Sequence, residues 1–558
     1  MKKILTTFVV FSLCLFVSAC SLMGKKPTAE IIDIVEGRTK IECTVSVEDK
    51  GVVSEDSVRV KLYKDDDLIS SQNMTGFEPK DFTFTGLKIN TKYELRVYAT
   101  YEKKSRCIEK TTVRTNDLGS EANPYKISSV KDFELIREDY ASDVHYIMVN
   151  DVDFEGEKFD YLCGSASKAF SGLFDGQGYK IKNVKVDASK SAYAGFISYN
   201  KGTIKNVTFE GIEVTCKKTT TSTIYSGIIG YNNGGVINDV DAKDVKIIAE
   251  STTVYAGGLT GYNYGGVIKN CSIEGLDIDV NKASAKAYVG GIVAYNRLSD
   301  TNKYGKIENC SADGSILIQD ASDVQYGGAV GEATSKSSLS KITIDIDATI
   351  YASGTLNAGG LIGYTREIQV NNILVKGNIN YTCATTSKEN DAYVYTDTKT
   401  SKNVYVGGVV GSATHVSLEN CVVETNINAK YNLEKSNETD TSITADARFG
   451  IVFGAGFDFR TGAKHCYFLG NIEVTTDEES AVKTTISKFD GSEGAEQGIN
   501  HMGVVSLTIN GVTTSEGTNA VANDLLETLK FDNSIWTITD VEGKAVAVLV
   551  HPDNTDNK

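Results

Sequence analysis

The sequence predicts an all-β protein in two parts, a small sandwich followed by a long parallel sheet coiled into rungs. Three observations carry this expectation. Residues 30–116 alternate apolar and polar with period two. A Gly-centred motif then recurs from Ala194 to Val452, and a second element trails each copy. Finally, 51 Gly and only 4 Pro among 558 residues fit a turn-rich ordered chain better than a disordered one.

Composition bounds the function. Lys plus Arg is 57 and Asp plus Glu 73, a net charge of −16. Such a chain has no overall field to hold a polyanion, so nucleic acid is excluded as a partner. Hydrophobic residues at 41% can fill a real core.

The N-terminus reads as an address. Lys2 and Lys3 precede an apolar run from Ile4 to Phe16, and Val17-Ser18-Ala19-Cys20 follows. A basic start, a short apolar stretch and small residues before a cut make a secretory signal. Val17-Ser18-Ala19-Cys20 resembles a bacterial lipobox, which implies diacylation of Cys20 and cleavage before it. Residues 1–19 would be the signal peptide and 20–29 a lipidated tether. The expected place is the cell envelope, exported, held to the lipid bilayer through Cys20 and exposed at the surface.

In 30–116, Ile41-Glu42-Cys43-Thr44-Val45-Ser46-Val47 and Val58-Arg59-Val60-Lys61-Leu62 read as half-buried strands, parted by turns such as Lys64-Asp65-Asp66-Asp67. The segment from Leu87 to Ala99 resembles the penultimate strand of a fibronectin type III domain. Leu87 and Tyr93 would be its tyrosine-corner pair. The early Trp and the Pro before Thr91 that the family carries are missing. No Arg-Gly-Asp is present. A spacer without a ligand of its own is the simpler role.

The repeat starts at Ala194-Gly195-Phe196-Ile197-Ser198-Tyr199-Asn200. It recurs at Ser226-Gly227-Ile228-Ile229-Gly230-Tyr231-Asn232, Gly257-Gly258-Leu259-Thr260-Gly261-Tyr262-Asn263 and Gly290-Gly291-Ile292-Val293-Ala294-Tyr295-Asn296. Later copies begin at Gly327, Gly359 and Gly407, with a decayed one at Phe449. Aligned glycines at 195, 227, 258, 291, 328, 360, 408 and 450 are spaced 32, 31, 33, 37, 32, 48 and 42 apart. The trailing element reads Ile268-Lys269-Asn270-Cys271 or Ile307-Glu308-Asn309-Cys310. Its alternation slips by one at Asn270, so the chain must turn there. One corner per repeat, held in register, is what a coiled parallel sheet needs, with rungs about 4.8 Å apart. Stacked Asn206, Asn270, Asn309, Asn372 and Asn420 would then form a structural ladder. Gly-Gly pairs and β-branched runs exclude a helical solenoid.

This pattern resembles the GLUG repeat, best in Gly258-Leu259-Thr260-Gly261 and Gly360-Leu361-Ile362-Gly363. The lead-in from Phe170 to Tyr179 and the closing Leu529 to Trp536 are also similar to such proteins. The resemblance implies a right-handed parallel β-helix on a bacterial surface protein, with activity in attached domains. The β-helix is expected over 118–515 and a C-terminal cap over 516–558, with a short helix at 519–529 and a hairpin through Glu542-Gly543. Residues 129–138 read as an N-terminal capping helix. The polar stretches 383–402 and 430–448 read as excursions, and insertions on one side of a solenoid often line its binding face.

Candidate chemistry is sparse. The five His stand alone, and the chain has no His-Glu-x-x-His, Gly-x-Ser-x-Gly or P-loop. No catalytic or metal-ligating residue is assigned, although a β-helix enzyme can assemble a site from several rungs. One column reads Glu210, Lys243, Glu274, Asp313, Asp345, Lys376, Glu424. Glu274, Asp313 and Asp345 would be solvated acids or a weak Ca²⁺ site. A second column, Tyr199, Tyr231, Tyr262, Tyr295 and Tyr364, is either packing or an aromatic face for sugars or protein. A third sets Cys271, Cys310, Cys421 and Cys466 among aliphatics, as small buried hydrophobes. Disulfides Cys271–Cys310 and Cys43–Cys107 stay open as alternatives.

Taken together, these features favour a non-catalytic binding or adhesion lipoprotein without a cofactor, its ligand an extracellular glycan or a host or matrix protein. The alternatives are a polysaccharide-cleaving β-helix enzyme and a passive stalk. Only ten Arg and no Arg/Lys column weigh against a lyase of acidic polysaccharide.

Overall fold

The computed structural model describes residues between 26 and 549, except 55, 219–221, 301–302, 335, 390–391, 401, 434–445, 457–462, 477–483, 488–500, 511, 516–535 and 542–543. The signal peptide, Cys20 and the helix expected at 519–529 lie outside the described residues. The chain divides into two compact units, Met1–Leu118 and Gly119–Lys558.

The first unit holds seven antiparallel strands: β1 (Thr28–Glu36), β2 (Ile41–Glu48), β3 (Val58–Lys64), β4 (Asp67–Met74), β5 (Lys80–Phe84), β6 (Lys92–Tyr101) and β7 (Lys104–Arg114). They form two sheets, β1-β2-β5 and β4-β3-β6-β7. The alternation explains the packing. Ile41, Cys43 and Val45 of one sheet and Val60, Leu62, Leu95 and Val97 of the other share one core. Leu87 and Tyr93 are both buried, and the Lys88 N–H donates to Tyr93 Oη at 2.9 Å. That bond is the geometry of a tyrosine corner.

The second unit is a parallel β-helix. Each rung contributes a short strand to a first wall, another to a second wall, and a long bent strand to a third. Thr253–Gly257, Thr260–Tyr264 and Val267–Asn281 make one such rung. The register follows the repeat: Ile268 pairs with Ile307, Cys271 with Cys310, Ile278 with Ile316. The slip at Asn270 is a left-handed bend, with φ of 52°, and Asn206, Asp239, Asn309, Asn372 and Asn420 hold the same conformation. Asn and Asp tolerate that region best among residues with a side chain. A second bend follows at Gly211, Asp244 or Gly275. Because of the two bends, one long strand keeps its apolar residues pointing inward throughout.

Between the first and second walls the corner glycines let rungs touch. A Cβ on Gly291 would lie 2.3 Å from the Gly328 carbonyl oxygen, and one on Gly328 2.1 Å from that of Gly360. The sequence alignment fails at the last copy. Val410 pairs with Phe453, so Gly408 stacks on Ile451 and not on Gly450. Gly450 pairs instead with Gly407.

The N-terminal end is closed as expected, by a 3₁₀ turn at Val130–Phe133 and a helical turn at Glu134–Glu138. Phe133 packs against Phe154, Phe159, Phe174 and Phe196. Near the C-terminus, Trp536–Val541 pairs antiparallel with Lys544–Leu549. The excursion after Cys383 is a hairpin, in which Ala384–Glu389 pairs with Ala392–Asp397. It lies back on earlier rungs: Tyr395 stacks on Tyr351 at 3.8 Å and donates to Gln319 Oε1 at 2.7 Å.

Candidate functional site

The tyrosine column lies on the second wall, where Tyr199, Tyr231, Tyr262 and Tyr295 pair in succession. None of the four belongs to the contiguous core, which is filled by residues such as Ile229, Val293 and Leu259. These rings lie outside that cluster and pack on one another, with Tyr199 and Tyr262 buried and Tyr231 and Tyr295 half-buried. A second column escaped the sequence reading: Tyr193, Tyr225, Tyr255 and Tyr288 stack on the first wall. Its signal was a Tyr six or seven residues before each Tyr of the first column. Corner length sets that offset, and sequence alone does not fix which walls meet there.

The two columns make one strip. Tyr225 stacks on Tyr255 at 4.9 Å, and Tyr231 on Tyr262 at 4.8 Å. Across the columns Tyr225 meets Tyr231 edge-on at 5.3 Å. Ring faces are thus used up within the strip, which leaves edges and hydroxyls at its surface. Burial pushes the Tyr225 phenol up to about 12, and raises Tyr231, Tyr255 and Tyr295 further. The hydroxyls stay protonated and able to donate. Tyr199 Oη accepts from Asn233 at 2.9 Å and Tyr262 Oη from Arg297 at 3.3 Å.

After Tyr295 the column changes. Glu332 takes the next rung and Tyr364 the one beyond. A cavity of about 550 Å³ opens there, between Tyr295, Arg297, Glu332, Tyr364 and Arg366. Burial raises the Glu332 carboxyl above its ordinary range, against the pull of Lys286, the Tyr295 hydroxyl, Arg366 and Arg297. Sequence reasoning missed Glu332, although it stands where neighbouring copies carry Tyr.

The Asn residues of the bends bond from side chain to side chain in pieces. Asn309 donates to Asn270 at 2.9 Å and Asn420 to Asn372 at 3.3 Å. Asn206 donates instead to Asp175 and Asn270 to Asp239, both at 3.0 Å. Asp239 and Lys341 occupy the intervening rungs. A continuous ladder runs elsewhere: Asn200, Asn232, Asn263 and Asn296 are fully buried and joined by bonds of 2.8 Å.

The acids expected near a Ca²⁺ site do not converge. Lys243 pairs with Glu274 at 2.9 Å, and the register shifts between Ile273 and Leu276 before Asp313 is reached. Asp313 pairs in register with Asp345 and accepts from the Gly275 N–H at 3.0 Å. Among the described residues no three His, Cys, Asp or Glu are grouped to hold a metal. The cysteine column stacks from Val207 through Cys271 and Cys310 to Cys421 and Cys466. All nine described cysteines are thiols, so neither disulfide forms.

The GLUG motif matches residues 252–280, and that segment is one full rung of the coil. That rung carries the GLUG motif. The rungs before and after it pair with it in parallel register. A stretch of 111 residues is 28% identical to halomucin of Haloquadratum walsbyi, covering 17% of this chain and 1% of halomucin. The chain therefore spans about one hundredth of the length of that curated relative. Among the described residues no helix is long and apolar enough to cross a membrane.

Proposed function

We propose that this GLUG-repeat protein is a non-catalytic binding protein of the cell surface, anchored by acylated Cys20. Its β-helix would present the tyrosine strip to an extracellular glycan or protein, and the N-terminal sandwich, read as fibronectin type III-like, would serve as spacer. One observation carries the reading: eight tyrosines line two adjoining outer columns, apart from the core. They stand outside the interior cluster, with Tyr199 and Tyr262 buried against their neighbours and the other six half-buried. Rows of phenol hydroxyls flanked by apolar edges suit surfaces that are both hydroxylated and apolar, which is where Tyr is favoured in recognition. The likeness to halomucin supports a place at the surface.

The test is a glycan and matrix-protein binding screen of the whole chain, alongside a variant carrying Tyr225→Phe and Tyr231→Phe. The variant keeps both rings and loses two hydroxyls. Saturable binding by the wild type, weakened about tenfold or more in the variant at unchanged unfolding midpoint, is the expected result. Absence of binding across the panel would leave a passive stalk as the better account.

A further inference from the structure

The break in the second-wall tyrosine column at Glu332 is the feature that the strip itself does not explain. Tyr295 and Tyr364 lie two rungs apart, about 9.6 Å, which is the room a single ring needs to stack on both. Glu332 occupies the rung between them, and its side chain is shorter than a tyrosine's. The gap opens into the cavity of about 550 Å³. Elsewhere in the strip ring faces are covered by neighbouring rings. Tyr295 turns edge-on to Tyr262 and stacks on Tyr288 at 5.5 Å, and beyond it the column of rings stops, which leaves room for a guest ring.

Arg297 and Arg366 act on Glu332 from a distance, without an ion pair among the described residues. Arg96, Arg106, Arg137 and Arg448 each pair with a carboxylate. Arg297 and Arg366 do not, among the described residues; their side chains donate to Tyr262 Oη and Tyr364 Oη, each at 3.3 Å. Both line the cavity, with half-buried Glu332 between them and Asp300 at the rim. Two guanidiniums with open donors recognise a planar carboxylate. A dianionic phosphate would meet more repulsion from Glu332 and Asp300. A purely aromatic guest would leave this polar lining unsatisfied. A pyranose has apolar C–H faces for the rings and a hydroxylated rim for the carboxylate and phenols.

We propose that the gap at Glu332 is a binding slot for a carboxylate-bearing pyranose. The sugar ring sits between Tyr295 and Tyr364, its carboxylate faces Arg297 and Arg366, and a hydroxyl donates to Glu332. This inference rests on the reading of the strip as a ligand face and names the sugar class taken at its end.

The test is calorimetric titration of the whole chain with hexameric oligogalacturonate and with sialyllactose, using the methyl-esterified hexamer as neutral control. At least one acidic probe should bind, with the ester about tenfold or more weaker. Arg366→Gln should lose affinity by a similar factor. Glu332→Tyr restores the ring of the neighbouring rungs and closes the slot; it should abolish binding while the unfolding midpoint is kept. Binding of oligogalacturonate alone or of sialyllactose alone supports the slot and identifies which acid it takes. Equal binding of ester and acid, no binding of either acid, or wild-type affinity in Glu332→Tyr overturns the proposal. Loss of binding in Tyr225→Phe with Tyr231→Phe, while Glu332→Tyr binds as wild type, overturns the slot and keeps the wider reading of the strip.

Discussion

Gly291 and Gly234 are used in opposite ways. Gly234 sits at φ 70° with nothing within 4 Å of a would-be Cβ. An Ala there costs only the left-handed conformation, about 1 kcal/mol. Gly291 has no such φ, but its Cβ would meet the next rung's backbone at 2.3 Å. Backbone stacked in a parallel ladder cannot step aside cheaply, so Gly291→Ala should cost at least about 2 kcal/mol. Chemical denaturation of the whole chain measures both; equal midpoints for the two variants would sink the close-contact account. The same scale shows why side chains were harder to place than glycines. Asn263 and Asn270 stand seven residues apart in one rung, and the sequence reading places the ladder at Asn270 alone. Asn263 is the fully buried one, bonding to Asn296 and to the Gly266 carbonyl at 3.1 Å. Alternation cannot tell them apart, because the pattern slips at each bend. Glu332 was legible in principle, as the acid standing in a tyrosine column, but its meaning needed the facing of the column.

Rungs were legible at the scale of elements because two anchors per repeat pin the register. The lead-in Phe170 to Tyr179 shows what a first rung adds. Asp175 is buried there; burial raises its carboxyl, but the Gln177 N–H, Lys205 and Asn206 outweigh this and hold it below the usual range. A lowered folded pKa contributes stability that is full above the ordinary value near 4 and fades as pH falls through the folded one. Asp175→Asn should therefore lower the unfolding midpoint at pH 7, with the gap to wild type closing as pH falls through the lowered folded pKa. A constant gap across pH would assign Asp175 a role in shape alone. The hairpin after Cys383 was foreseen as an excursion, yet its docking back on Tyr351 was not. Nothing local encodes a contact across 44 residues. Tyr395→Ala should speed hydrogen exchange within residues 384–397 and leave the rungs unchanged. Uniformly faster exchange would show that the hairpin also supports the coil.

For the whole molecule, the cysteines decide what holds the coil. For a chain proposed to be exported, nine described cysteines invite disulfides. Instead the cysteine column is continuous with Val207, Val240, Ile342 and Ile373, and these thiols fill space as aliphatics do. Burial pushes Cys163 up to about 12 and Cys216 and Cys43 up to about 11. Cys271 and Cys421 are raised well above the ordinary thiol range, by burial and then by the neighbouring Cys310 and Cys466. Thiolate, the reactive form, is scarce in every case. Cys107 is the exposed exception among the nine. Alkylation of the native protein at neutral pH should then modify Cys107 alone among them, and slowly, since burial raises its thiol too. Denaturation should release the other eight together with the core. Reductant should leave the unfolding midpoint where it was. Stabilisation by disulfides would show instead as a fall in that midpoint on reduction. The coil would then depend on covalent ties, rather than on apolar side chains stacked rung on rung and the Asn ladder beside them.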